Sequence, residues 1–161
     1  SELSRQIRED QFRKEYLAVV HGRPESPEGT LHDLLARDKA RRMTFVADAP
    51  GKGVQEAALS YRVLEYAEDM SLVQVRLHTG RTHQIRVHMA SLGHPVLGDP
   101  VYGSGKHPLE IRFHAYLHGQ CLHARTLSFD HPRTKERMNF SSELPTEFTA
   151  ILQKCRSMEP H

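Results

Sequence analysis

The sequence has no tryptophan and only two cysteines, Cys121 and Cys155. Two thiols cannot build a disulfide framework, and without a CxxC pair they match neither a zinc ribbon nor a redox motif. No apolar run approaches the roughly 20 residues that span a bilayer, and the opening SELSRQIRED lacks the basic-then-apolar order of a signal peptide. GxSxG, HExxH and the Walker phosphate loop are missing too, which sets aside the common signatures of serine hydrolases, zinc proteases and P-loop enzymes. With a mean hydropathy of −0.58, the expectation is a cytoplasmic protein with no membrane partner. A length of 161 residues suits one domain spanning 1–161.

What the chain does have is charge arranged unevenly. The net charge of +2 averages a stretch from Arg76 to Arg137, with nine Lys/Arg against four Asp/Glu, and more acidic flanks. Nine of the 12 histidines fall in that same stretch. Sixteen of the 22 basic residues are arginine, whose planar fork binds phosphate bidentately and stacks on bases. Together these form a mild polyanion signal.

Periodicity supplies the elements. Ser1 to Phe12 reads as the end of an amphipathic helix, with Leu3 and Ile7 on one stripe. Tyr16 to Val20 is a β-rich run, Arg23 to Gly29 a loop, and Leu31 to Ala36 a short helical turn leading to a strand over Met43 to Ala47. Ala57 to Tyr66 and Ser71 to His78 alternate as a hairpin; Leu122 to Phe129 and Arg137 to Phe140 form a second around His131 to Thr134. Thr82 to Leu92 has helical length, with Gly93 at the expected stop, and Pro145 opens a closing helix to Cys155. The fold class expected is α+β, with a mixed, largely antiparallel sheet and flanking helices.

The densest chemistry is His78-Thr-Gly-Arg-Thr-His-Gln-Ile-Arg-Val-His88. A strand end, a glycine and a helix start would gather backbone N–H groups, Arg81, Thr82 and Gln84 at one anion site. On the helix, Ile85, Met89 and Leu92 would pack while the opposite face presents Arg86. An equally weighted alternative makes both arginines ordinary surface residues and Thr82 a helix cap. His78, His83 and His88 invite a metal reading, but a five-residue spacing on a helix turns successive side chains by about 140° net, so they would not converge on one ion. No metal is expected.

Those residues carry a resemblance. Gly80-Arg-Thr-His-Gln-Ile-Arg-Val-His88, then Gly93-His-Pro-Val-Leu-Gly-Asp99 and Tyr102-Gly103, resemble the C-terminal signature of the RluA-type pseudouridine synthases. Arg13 to Gly22 and Leu122 to Pro132 resemble flanking blocks of that family, in the same order and spacing. The resemblance implies a cofactor-free isomerase that breaks the C1′–N1 bond of uridine in structured ribosomal or transfer RNA, turns the base and rejoins C1′ to C5. It further implies that Tyr16 stacks on the target base and takes the C5 proton, and that Arg86 pairs with the catalytic aspartate. Ile85 would wall the pocket, and Arg81, Thr82, His83 and Gln84 would shape the site or touch RNA. Asp99 fits a structural loop acid.

The family's His-Arg-Leu-Asp, followed two residues later by Thr-Ser-Gly, does not occur in this sequence. By the family's order it would lie upstream of Ser1, leaving a catalytic core incomplete at its N-terminus and inactive alone. Two expectations separate the alternatives. In a portion of an ordinary synthase, Arg86 would lack its acid partner. In a shortened RNA-binding paralogue without activity, an acid such as Glu15 or Asp99 would re-pair it.

Overall fold

The computed structural model describes residues 13–67, 69–103, 105–117 and 119–158. The helix expected over Ser1 to Phe12 lies outside the described residues. Seven strands, β1 (Arg13–His21), β2 (Glu28–Asp38), β3 (Met43–Val46), β4 (Val54–Ala67), β5 (Met70–Leu77), β6 (Leu122–Asp130) and β7 (Arg137–Ser141), form one sheet in the order β3-β2-β4-β5-β1-β6-β7. Every pairing among these strands is antiparallel. Three helices accompany them: α1 (Gln84–Ser91), α2 (Pro108–Arg112) and α3 (Thr146–Met158). Among the described residues no helix is long and apolar enough to cross a membrane.

Burial follows the position of each strand. In β1, fifth in the sheet, Leu17 to Val20 are all buried, as expected of a strand covered on both faces. In β5, Val73 and Val75 are fully buried while Gln74 and Arg76 between them are only partly so. Facing residues in an antiparallel pair share a side of the sheet. Asp33 faces Ala57, Tyr61 faces Val75, and Val75 faces Tyr16, so Ala57, Leu59, Tyr61, Val75 and Tyr16 point to one side. On that side α1 packs, with Val87 against Leu35 and Ala57. Phe148, Ile151 and Leu152 of α3 join the same apolar core as Leu17, Val19 and Met70, and Leu152 sits beside Val19 and Leu72.

The helical turn expected at Leu31 to Ala36 is instead part of β2, which pairs with β4 from Glu28 through Ala36. A spacing of four places Leu31 and Leu35 on one face of a helix and of a strand alike. Nine paired residues against β4 decide between them. The loop expected to Gly29 accordingly ends two residues earlier, at Pro27.

Helix α1 also departs from its expected amphipathic form, because all six residues from Gln84 to Met89 are buried. A helix buried all round needs a partner for every polar side chain. Leu92, placed in the apolar stripe, is 39% exposed beyond the helix end. There Gly93, at φ 94, closes a Schellman turn: His94 N–H donates to Met89 O at 2.8 Å and Gly93 N–H to Ala90 O at 3.0 Å.

Candidate active site

The loop after α1 turns back because of Gly98. Its φ is 78, and a Cβ there would lie 2.3 Å from Gly119 O. No other residue fits that turn. It delivers Asp99, 4% exposed, to the side of α1 where Arg86 is 8% exposed. Arg86 Nε donates to Asp99 Oδ2 at 2.8 Å and Nη2 to Oδ1 at 2.9 Å. Asp99 Oδ1 also accepts from the backbone of Val101 at 2.9 Å and Tyr102 at 3.0 Å. Burial alone would raise the Asp99 pKa, but the Arg86 bond and the two backbone N–H groups outweigh it and hold the carboxyl below its ordinary range. Bonding to Asp99 likewise raises Arg86.

Two expectations for Arg86 are thereby corrected. It is not presented on an open face, and it does not lack an acid. Among the described residues its carboxylate is Asp99, a loop acid that organises its own turn.

Tyr102 carries this network outward. Arg86 stacks over its ring at 5.1 Å, and Tyr102 Oη accepts from Thr44 N–H at 2.7 Å and bonds His83 Nδ1 at 2.9 Å. With Thr44 N–H on one lone pair, Oη still has its own proton to give to His83 Nδ1, the arrangement that suits a neutral imidazole with its hydrogen on Nε2. Burial, then Arg86 and Arg37, lower the His83 pKa and favour that neutral form. His83 is the N-cap of α1 at φ 56 and makes no side-chain cap, so Thr82 is not the cap. Thr82 is exposed, and its carbonyl accepts from Thr44 Oγ1 at 2.9 Å.

Gln84, expected to help form an open anion site, is 2% exposed and bonded through both its amide oxygen and its amide nitrogen. Its Oε1 accepts from Thr79 Oγ1 at 2.8 Å and Arg81 N–H at 2.9 Å, and its Nε2 donates to Ala58 O at 2.9 Å. It clamps α1 to β4. Ile85 is buried in the main core.

Arg81 differs from Arg86. Its Nε donates to Glu56 O at 2.8 Å, and its terminal Nη groups have no partner among the described residues. Tyr16 is half-buried on the same side of the sheet as α1, where burial raises its pKa and keeps the phenol protonated at neutral pH. No hydrogen bond joins it to the Arg86 network among the described residues.

The three histidines at five-residue spacing go to separate partners: His78 to Ser60 at 2.7 Å, His83 to Tyr102, and His88 to within 3.2 Å of Asp33. The residues that sequence reasoning left without a role are Thr44, Tyr102 and Asp33. Tyr102-Gly103 stood in the signature but gave no sign that its hydroxyl would reach a strand 58 positions earlier.

The family model described as RNA pseudouridylate synthase matches residues 1–91. An RNA pseudouridine synthase of Bacillus subtilis, YlyB, is 40% identical over 143 residues, covering 89% of this chain and 44% of its own length. The ribosomal large subunit pseudouridine synthase D of Zymomonas mobilis is 38% identical over 155 residues, covering 94% of this chain and 47% of its own. The chain thus spans about half the length of the curated relatives it matches. Among solved structures, the human RNA pseudouridylate synthase domain containing 1 superposes with a TM-score of 0.70 at 25% identity, over 99% of this chain and 72% of that one. Its fold, its signature segment and its relatives agree that the chain belongs to the RNA pseudouridylate synthase family.

Proposed function

We propose that the chain forms the RNA-binding and base-holding part of an RNA pseudouridine synthase, which isomerises uridine in ribosomal or transfer RNA. The C1′–N1 bond breaks, C1′–C5 forms, the C5 proton leaves and the freed N1 takes up a proton, so that the product is an isomer. The observation that carries the reading is the placement of a half-buried Tyr16 on the sheet face that α1 covers, with Arg81 reaching that face's rim over Glu56. A base turned out of its stack needs an aromatic platform and cations that hold its phosphates. Tyr16 is the platform. Arg81, Thr82 and His83 touch RNA, and Ile85 walls the pocket from within the core.

The division of labour between the arginines follows from their bonds. Arg86 spends Nε and Nη2 on Asp99, so it braces the site through Tyr102 and His83. Among the described residues nothing bonds the terminal nitrogens of Arg81, which suit a carboxylate or a phosphate. A second reading, an RNA-binding paralogue without activity, is favoured by one observation: Asp99 already re-pairs Arg86, as that reading requires.

Incubating the chain with RNA labelled with tritium at uridine C5 tests both. Binding without tritium release is expected, because the sequence contains no Asp followed by xxTSG. Release from this chain alone would show that it carries its own nucleophile. No binding to structured RNA removes both readings.

A further inference from the structure

The end of β2 and the turn to β3 pack four cations into six residues: Arg37, Lys39, Arg41 and Arg42, against the single acid Asp38. All four are exposed. Arg41 stands 79% exposed, its Nε 3.8 Å from Asp38, while Lys39 and Arg42 make no ion pair among the described residues. Gathering like charges in a tight turn is unfavourable for folding alone. Arg42 moreover sits at φ 54, where glycine or asparagine would be less strained. Two residues into β3, Phe45 is 46% exposed and Val46 36%.

This turn is also fixed relative to the candidate site. Thr44 donates its N–H to Tyr102 Oη and its hydroxyl to Thr82 O, and Arg37 Nη1 donates to Thr44 Oγ1 at 3.3 Å. Thr44 and Phe45 alternate along β3, so the first faces α1 and the second points away. One strand thus anchors to the segment of Arg81 and His83 and displays an aromatic ring on its outer side.

From this we infer that the β2–β3 hairpin is a second RNA-docking surface. Lys39, Arg41 and Arg42 hold backbone phosphates, and Phe45 stacks on an unpaired base that passes over the sheet edge to the face opposite Tyr16. The inference rests on the RNA reading above. Cations with an exposed ring suit RNA that has unpaired bases, because a duplex offers phosphates but no free base face.

Fluorescence anisotropy on this chain tests it, with a labelled RNA stem-loop, the same stem as a blunt duplex, and anionic phosphatidylserine vesicles. The triple variant Lys39→Gln/Arg41→Gln/Arg42→Gln should bind the stem-loop at least tenfold more weakly, with a log–log salt slope shallower by about 2 to 3. Phe45→Ala should weaken stem-loop binding about tenfold and leave duplex binding unchanged. Arg41→Glu alone, in a side chain too exposed to affect folding, should move affinity the same way as the triple variant. If all three variants bind like wild type while Arg81→Ala binds weakly, the hairpin is idle and the RNA reading survives. Wild type that binds neither RNA overturns both. Tighter binding to vesicles than to stem-loop assigns the hairpin to a membrane surface and overturns the inference.

Discussion

Arg81 and Arg86 stand five residues apart in one signature segment and have opposite fates. Arg86 is buried, bidentate to Asp99 and covered by Tyr102. Arg81 lies at the rim, with one bond from Nε and, among the described residues, no partner for its terminal nitrogens. Around α1, Arg86, Asp99, Tyr102 and Gln84 form a network of matched polar groups, with buried His88, near Asp33 but without a hydrogen bond among the described residues, as its exception; at the rim, Arg81 keeps its terminal nitrogens unbonded among the described residues. Matched groups hold shape, and unmatched ones are available to a ligand. Substitutions in the network should therefore cost stability, and those at the rim should cost RNA affinity with stability intact.

Asp99→Ala gives the largest effect. It strands a buried guanidinium and removes the acceptor for Val101 and Tyr102 N–H, at about 3–5 kcal/mol. Urea unfolding should show the midpoint falling accordingly. A loss under about 1 kcal/mol would mean that Arg86 reaches water or another acid, and the contrast between the two arginines would fail.

Tyr102→Phe comes next. It leaves Thr44 N–H without its acceptor and His83 Nδ1 without its donor, a loss of about 1–3 kcal/mol. The freed imidazole should show in its nitrogen NMR shifts, with hydrogen no longer confined to Nε2. Unchanged shifts would mean that Tyr102 does not set the tautomer.

Acid should weaken the closed side before the open one. Burial lowers the His88 pKa below its ordinary 6.5, although Asp33 opposes this. A folded-state pKa below the unfolded one means that the unfolded chain binds the proton first. Stability is then complete above about pH 6.5 and falls as pH drops below it. Asp99, also lowered, adds a second decline as pH passes below its unfolded value of 3.8. Thermal melts at stepped pH should show both declines, and His88→Gln should shrink the first while leaving the share of His83, whose pKa burial also lowers. A wild type whose melting temperature rises between pH 7 and 5 contradicts this.

How much of this was legible follows the same division. The two hairpins, β1, and the Gly93 stop were readable because alternation and glycine act locally. The strand β2 was misread because leucines four apart satisfy both periods, and its partner lies about 25 residues downstream. Arg86 was placed on an open face because helical periodicity locates a stripe but not what lies behind it. Only the return of the Gly98 loop, with Asp99, determines that an arginine here is internal. The Thr44–Tyr102 bond, between residues 58 apart, left no local trace.

Arg81→Ala should give the smallest change in stability and so tests the open side most directly. Its side chain bonds one carbonyl at the rim, and surface substitutions of this kind shift stability by about 0.5 kcal/mol or less. Its two Nη groups, unbonded among the described residues, nevertheless point to one phosphate or carboxylate contact. Salt titration of RNA binding should lose about 0.7 to 0.9 in log–log slope, one phosphate's share. Asp99→Ala, in its folded fraction, should keep the full slope, since Arg86 holds no phosphate. If the two variants exchange these signatures, Arg86 reaches the RNA and Arg81 is the brace.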